Sequence, residues 1–247
     1  MNKFKVKVEN EKGNSAVVSV EPLEAGYGHT LGNSLRRCLL ASLPGAAITS
    51  IKISGVSHQF STIPGVVEDV IEIILNLKKI RVKVDGDKPV QMRIQKSGVG
   101  EVKASDVDTL GQGEVVNGDL HIATLTDSKA KLNIELTAEN GVGYVSSEEK
   151  KTNEIGVIPV DSSFSPVLSV NYTVEQTRVG RRTDFDKLNL EITTDGTITP
   201  LESVQKASQI LAEVFKQVYE PSEEVEEEVP STLSFMSDDV NKASIEE

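Results

Sequence analysis

Three glycines ahead of an apolar segment form the first pattern with a chemical meaning. Gly26, Gly28 and Gly32 lie between a predicted strand and a predicted helix. Backbone N–H groups at such a helix start can bind the pyrophosphate of a dinucleotide. The spacing is imperfect, however: the strand is predicted to end near Val20, and no alternation of strands and helices follows. We favour a tight turn that needs positive φ, with Gly32 letting another helix approach closely.

The histidines and the cysteine give little support for a metal site. His29, His58 and His121 are scattered along the chain, and Cys38 is the single cysteine. No metal-ligand spacing appears among them. Each histidine is therefore predicted to be a hydrogen-bonded structural residue, and His29 could orient the start of the helix.

Two aspartates come nearest to a catalytic pattern. Asp184 and Asp186 lie between Arg182 and Lys187, whereas nucleotidyl transfer needs clustered aspartates that hold two Mg²⁺ ions. Pairing with the neighbouring cations is the simpler interpretation. We expect no catalytic residue, no metal and no cofactor in this chain.

An arginine pair is the strongest candidate for a binding role. Arg36 and Arg37 follow the glycines, and Leu40 lies beside them, off the apolar stripe of the same helix. Two solvated arginines on a helix face are slightly favoured by the residues alone. The alternative is a subunit anchor, because arginine is enriched at interface hot spots and binds carboxylates bidentately.

Hydrophobic periodicity predicts three helices that position these residues. The first spans 31–43 and is ended by Pro44. The second spans 66–77, and the last begins after Thr199, where Pro200 and Glu202 complete the start signals. The apolar side of the second helix is predicted to carry Val67, Val70, Ile71, Ile74 and Leu77.

The strands are predicted from alternating patterns and turn residues. A hairpin precedes the first helix, a short strand covers 47–53, and a strand-rich stretch runs from 80 to 145. Strands resume near 170–174 and 188–192, and a hairpin-type turn is predicted at 193–196.

Composition excludes several classes of protein. The 247 residues are 38% hydrophobic with only 4% aromatic residues, which predicts an aliphatic core. The segment 220–247 has ten acidic residues and one lysine, so −9 of the net charge of −12 lies there. A net-negative body argues against a free-standing nucleic-acid binder. A single cysteine, no apolar leader and no 18-residue apolar run predict a cytoplasmic protein without a membrane span.

The fold class predicted from these patterns is α+β. Strands at both ends of the chain, each adjoining a helix, form one antiparallel sheet with two amphipathic helices, covering 1–45 and 167–220. A strand-rich domain at 46–166 is inserted into it. An acidic, disordered tail or linker covers 221–247.

Ordered blocks of sequence resemble a known family, the N-terminal domain of the bacterial RNA polymerase alpha subunit. They cover roughly residues 16–220. The first block is GYGHTLGNSLRRCLL at 26–40; the others are HQFST and GVVED at 58–62 and 65–69, ILNLK at 74–78, KSGVG at 96–100, RTDFDKL at 182–188 and DGTI at 195–198. The resemblance implies the same discontinuous layout, in which the first domain mediates dimerisation.

The resemblance also implies roles for individual residues. Arg37 and Leu40 correspond to contacts with the β subunit, with Arg36 as the neighbouring guanidinium. Lys78 and Val160 correspond to the surface that faces β′. The predicted dimer interface consists of Tyr27, Leu31, Leu35, Leu39, Leu211, Phe215 and Val218. Packing of these helices within one chain is the alternative for each of them.

The function that the resemblance implies is a non-catalytic assembly platform for DNA-directed RNA polymerase. A dimer of the chain recruits β and β′, which hold the catalytic residues, and it reaches DNA only through the complex, in the cytoplasm at the nucleoid. Family members usually continue past the acidic linker into a small helical DNA-binding domain, which lies outside this sequence of 247 residues, so DNA and activator contacts through that domain are not assumed here. The alternatives are a nucleotide-binding enzyme that uses the glycine turn and an assembly inhibitor that mimics alpha.

Overall fold

A computed structural model describes residues 4–84, 86, 88–150, 154 and 156–220. Its helices are α1 (Tyr27–Ala41), α2 (Val70–Leu77) and α3 (Pro200–Tyr219). The strands are β1 (Lys5–Lys12), β2 (Ser15–Leu23), β3 (Pro44–Ile53), β4 (Val82–Val84), β5 (Val90–Ser97), β6 (Gly100–Lys103), β7 (Val107–Asp108), β8 (Gly113–Val115), β9 (His121–Leu125), β10 (Lys131–Val142), β11 (Tyr144–Val145), β12 (Val157–Pro159), β13 (Ser162–Ser163), β14 (Val167–Val179) and β15 (Arg182–Thr194). The predicted α+β class is confirmed.

Both ends of the chain meet in a four-stranded antiparallel sheet with the order β1-β2-β15-β14. Helix α1 packs on β14 and β15, and α3 packs on α1 and β2. Alternate residues of the strands face these helices, which is the period-2 pattern of a sheet with one buried face. The core between sheet and helices includes Val18, Leu35, Leu39, Leu188, Leu190 and Ala207.

The middle of the chain forms a second sheet with its own core. Strands follow the order β7-β5-β10-β3-β4-β8, and β12 pairs with β3. Helix α2 belongs to this core, whose largest cluster includes Ile51, Ile73, Leu77, Ile94 and Ile134. The predicted aliphatic core is confirmed, since Phe164 and Phe185 are the aromatic residues among the buried hydrophobic residues described. The domain boundaries stay a prediction.

The start of α3 was predicted correctly. Thr199 Oγ1 accepts a hydrogen bond from the backbone N–H of Glu202, and Glu202 Oε2 accepts one from the backbone N–H of Thr199. This reciprocal capping box satisfies two N–H groups that the helix itself leaves free. The predicted hairpin turn at 193–196 is wrong: those residues end β15 and lead into α3, and the β14–β15 turn lies at Gly180.

Both earlier helices begin at residues other than those predicted. Helix α1 begins at Tyr27, one turn before the predicted position. Gly26, the residue before it, adopts a left-handed φ of 87°, which separates the preceding segment from the helix. It ends at Ala41, and Pro44 begins β3 rather than only ending the helix.

The start of α2 moves the other way. The backbone N–H of Val67 donates to the carbonyl of Thr124 in β9, and Val66 forms an isolated bridge with Leu125. This segment is therefore bonded to β9, and α2 begins only at Val70. Its buried side carries Ile73 with Val70, Ile74 and Leu77, whereas Val67 and Ile71 are exposed. The predicted acidic tail lies outside the described residues. Among the helices described, none is both long and apolar enough to cross a membrane.

Candidate functional site

A carboxylate from the far end of the chain occupies the N-terminus of α1. Asp186 Oδ2 accepts hydrogen bonds from the backbone N–H groups of Gly26, at 2.9 Å, and Gly28, at 3.1 Å. A negative charge here also interacts favourably with the helix dipole. The N–H groups that would bind a pyrophosphate already have an anionic partner, which speaks against the nucleotide site.

Two helical glycines let α1 lie close to the sheet. A Cβ at Gly28 would lie 2.6 Å from Val174 Cγ1, and one at Gly32 would lie 2.7 Å from Tyr172 Cδ2. Real Cβ atoms do not approach so closely, so a larger residue would move α1 away from the sheet. The close approach predicted for Gly32 is correct, but its partner is β14 and β15 rather than another helix.

The exposed surface of α1 carries the arginine pair. Arg36 and Arg37 are exposed, and Leu40 keeps 40% of its surface exposed. Leu40 follows the arginines by four and three residues, so the three side chains lie on one part of the helix surface. Within the residues that the structure describes, neither arginine forms an ion pair. These three residues are the candidate β-binding residues, and their contact with β stays a prediction.

Lys78 and the segment around Val160 are brought together by an ion pair. Lys78 Nζ lies 3.0 Å from Asp161 Oδ2. The backbone N–H of Ser147 donates to the same carboxylate, and together with Lys78 it lowers the pKa of Asp161 to about 2. The side chain of Val160 is buried in the core, with 3% exposed. A partner at this surface would therefore meet Asp161 and Lys78 rather than the Val160 side chain.

The seven candidate dimer residues fall into three groups by exposure. Leu35 and Leu39 are buried within the chain, and Leu31 and Leu211 are half-buried. The remaining three, with 54 to 76% exposed, are Tyr27, Phe215 and Val218. Helical spacing identified the apolar positions correctly but did not separate those facing the chain's own core from those facing outward.

The predicted structural role of the histidines is best seen at His121. Its Nε2 lies 2.9 Å from Glu68 Oε1, and its Nδ1 lies 2.9 Å from Glu101 Oε1. Both carboxylates raise the pKa of His121, Glu68 having the larger effect. Burial alone would raise the pKa of Glu68, but hydrogen bonds from Thr124 and His121 outweigh it and lower that pKa. Sequence patterns do not reveal this triad, because its members are far apart in the chain.

The other two histidines have different surroundings. The ring of His29 meets Tyr172 edge-on, with 6.1 Å between centroids, and the carbonyl of His58 accepts a hydrogen bond from Ser61. Across the described parts of the chain, no three His, Cys, Asp or Glu side chains converge in a way that could hold a metal ion.

The aspartate pair near the C-terminal strand separates into two roles. Asp184 pairs with Arg182 at 2.8 Å, as the sequence predicts. The predicted pairing of Asp186 with Lys187 is wrong, because successive residues of β15 point to opposite faces. Asp186 caps α1, while Lys187 Nζ lies 3.5 Å from Glu9 on the neighbouring hairpin.

Comparison with known proteins identifies the family. Residues 51–165 match the RNA polymerase Rpb3/RpoA insert domain. The DNA-directed RNA polymerase subunit alpha of Carboxydothermus hydrogenoformans is 54% identical over 85% of this chain and 68% of its own length. This chain belongs to the alpha subunit family of DNA-directed RNA polymerase. The resemblance stated from the sequence blocks is thereby confirmed.

Other alpha subunits show the same relationship. Those of Syntrophomonas wolfei and Symbiobacterium thermophilum are each 54% identical over 84% of this chain. They are covered over 66% and 67% of their own lengths, so the chain spans about two thirds of the alpha subunits that it matches.

Proposed function

We propose that this chain is a non-catalytic assembly platform of DNA-directed RNA polymerase. Two copies dimerise and recruit the β and β′ subunits for DNA-templated transcription. The observation that carries the proposal is that this alpha-family chain exposes two separate surfaces. One is the Arg36, Arg37 and Leu40 face of α1; the other is the apolar C-terminal half of α3.

The dimer half of the proposal rests on how α3 is buried. Its first two turns hold the buried residues Ser203, Val204 and Ala207. Its last turns leave Phe215 and Val218 with 60% and 76% exposed. Covering a large apolar side chain is worth about 1.5–3 kcal/mol, so a second copy with the same exposed turns is a natural partner. A symmetric dimer is also the commonest oligomer.

The N-terminal turns of α1 complete the dimer surface in this proposal. Tyr27 is exposed and Leu31 is half-buried there, while Leu211 is half-buried on α3. Leu35 and Leu39 contribute from beneath by fixing α1 against the chain's own core.

For β, the proposed contact is the exposed face of α1. Arg36 and Arg37 can bind carboxylates of a partner bidentately, and Leu40 adds an apolar contact between them and the end of the helix. No acidic side chain in the described residues competes for these guanidinium groups through an ion pair.

For β′, the proposed contact is the surface that holds Lys78. The Lys78–Asp161 pair is about one-third exposed on each side. A partner can therefore reach both charges, and Val160 supports the segment from the core. In a two-fold dimer each copy presents both surfaces. In this proposal the β-binding surface is used chiefly on one copy, and the β′-binding surface is used chiefly on the other.

In this proposal the partner subunits carry out the chemistry, and DNA is reached only through the assembled enzyme in the cytoplasm, at the nucleoid. The discontinuous domain at 1–45 and 167–220 mediates dimerisation, and the inserted domain at 46–166 carries the β′-facing surface. The capped N-terminus of α1 supports the absence of a nucleotide cofactor, because Asp186 already accepts from its N–H groups.

Matched substitutions test the two contacts separately. Arg37→Ala should leave the dimer intact and weaken capture of β. Arg93→Ala, which removes an arginine from the inserted sheet, should leave both the dimer and the capture of β unchanged. Lys78→Ala should weaken binding of β′ to the assembled α–β complex. Its control is Lys96→Ala, because Lys96 forms a comparable surface pair with Asp106 at 2.7 Å. Unchanged capture by both test variants would overturn the assignment, and a dimer that never enters active polymerase would favour the assembly inhibitor.

A further inference from the structure

Three exposed apolar side chains lie where α1 and β10 end. Leu40 precedes the last residue of α1, Val142 is the last residue of β10, and Tyr144 begins β11. Their exposed fractions are 40%, 53% and 64%. Single exposed apolar residues are ordinary, but a group of three beside cations that form no ion pair among the described residues is typical of an interaction surface.

The backbone brings these residues to the same corner of the molecule. In the β3–β10 ladder Val142 lies opposite Pro44, which follows the end of α1 by only three residues. Gly143, between Val142 and Tyr144, runs past the C-terminus of α1: a Cβ built on it would lie 3.9 Å from the carbonyl oxygen of Ala41. The two apolar residues therefore flank the very turn that adjoins the end of α1.

The turn that presents Tyr144 is firmly held. Gly143 has a left-handed φ of 73°, and its carbonyl accepts a hydrogen bond of 2.9 Å from the backbone N–H of Phe164. Tyr144 lies opposite Ser163 in the short β11–β13 ladder. Because the backbone on both sides of the side chain is fixed, little conformational entropy is lost when a partner covers it.

We propose that Val142 and Tyr144 form, with Leu40, the apolar centre of the surface that docks the β subunit. Arg36 and Arg37 form its charged rim. The partner segment is correspondingly apolar with flanking carboxylates. This inference rests on the proposed function, which assigns β to the same face of α1.

The charges favour β over a second copy of this chain as the occupant. A symmetric contact through this patch would place the Arg36 and Arg37 pair of one copy near the same pair of the other. Like charges at an interface disfavour binding, and among the described residues no acidic side chain pairs with either arginine. An acidic segment of a different subunit avoids this repulsion.

The test uses the intact chain and purified β subunit from the same organism. Tyr144→Ser should weaken β binding by about thirtyfold or more, the effect expected of a hot-spot side chain. Tyr144→Phe should bind like the original chain. Val142→Ser should weaken binding to a smaller degree. Val99→Ser, which removes a valine with 69% exposed from the loop between β5 and β6, should leave binding unchanged.

A photocrosslinker at position 144 gives a readout that does not depend on the stability of a variant. Illumination should join it to β in the complex. If Arg37→Ala and Leu40→Ala weaken β binding but Tyr144→Ser does not and no crosslink forms, this inference is wrong while the proposed function stands. If none of these variants changes β binding, both fail. Loss of the dimer in Tyr144→Ser would show that the patch serves self-association and would also overturn the inference.

Discussion

Asp186 Oδ2 accepts a hydrogen bond from the backbone N–H of Gly28, 158 residues earlier in the chain, at 3.1 Å. The contact joins β15 to the start of α1 and so links the two ends of the chain at the helix that carries Arg36 and Arg37. The same oxygen accepts from Gly26 at 2.9 Å. A long-range carboxylate cap therefore sets where the proposed β-docking helix begins.

Removing this cap should destabilise the fold. Asp186→Ala leaves two N–H groups without their acceptor and is expected to lower the free energy of unfolding by about 1–2 kcal/mol, a typical cost for a lost N-cap. Urea unfolding at one fixed protein concentration measures the change. Asp184→Ala is the control, because Asp184 pairs with Arg182 in solvent, and its midpoint should not move. Equal midpoints for the two variants would contradict the capping role.

The close packing of α1 on the sheet predicts an unusual sign for a glycine substitution. Alanine is normally better than glycine in a helix by up to about 1 kcal/mol. At Gly32, however, the added Cβ meets Tyr172 and Leu188, so Gly32→Ala is expected to destabilise by about 1–3 kcal/mol. Asn33→Ala, at an exposed position of the same helix, should be neutral or stabilising. A more stable Gly32→Ala variant would show that α1 does not lie so close to β14.

The His121 triad predicts a pH-dependent contribution to stability. The pKa of His121 in the folded chain is raised above its ordinary 6.5 by Glu68 and Glu101. A group of this kind stabilises the fold fully below the unfolded pKa, and its contribution is lost as pH rises through the folded pKa. The unfolding midpoints of the original chain and His121→Gln should therefore differ most below the ordinary pKa of 6.5, and the difference should shrink as the pH rises through the raised pKa of the folded chain. A gap that widens with rising pH would contradict the assignment.

The exposed turns of α3 predict a charge-sensitive dimer. Phe215→Asp places a carboxylate where an apolar contact with the second copy is proposed, so the native mass should fall from twice 26.7 kDa to 26.7 kDa. Phe60→Asp is the control, since Phe60 is 74% exposed in the loop before α2 and lies outside the proposed interface. A Phe215→Asp chain that keeps the doubled mass would place the dimer contact elsewhere.

Sequence patterns correctly predicted those helix ends that are determined by residues next to one another in the chain. The capping box of α3 needs only Thr199, Pro200 and Glu202, and it was predicted correctly. The start of α2 was not, because Val67 donates to Thr124 in β9, a strand more than fifty residues away. Periodicity does not detect so distant a partner, so the predicted helix extends into a segment that is hydrogen-bonded to β9.

The candidate site shows the same division. Helical spacing correctly separated Leu40 from the stripe of Leu35 and Leu39. It did not show that Leu39 faces the chain's own core whereas Phe215 is exposed. An apolar stripe predicts which side of a helix is buried but not whether the same chain or a partner buries it. The charges next to Asp186 in the sequence did not reveal that Asp186 caps α1 and that Lys187 lies near Glu9. Both contacts depend on the alternation of side chains along β15 and on the pairing of strands from both ends of the chain.

The native mass of the purified chain, alone and after mixing with β, tests the platform most directly. We expect a species of twice 26.7 kDa that gains one β subunit. A monomer that does not bind β would contradict it, since neither the apolar end of α3 nor the Arg36 and Arg37 face would then serve assembly.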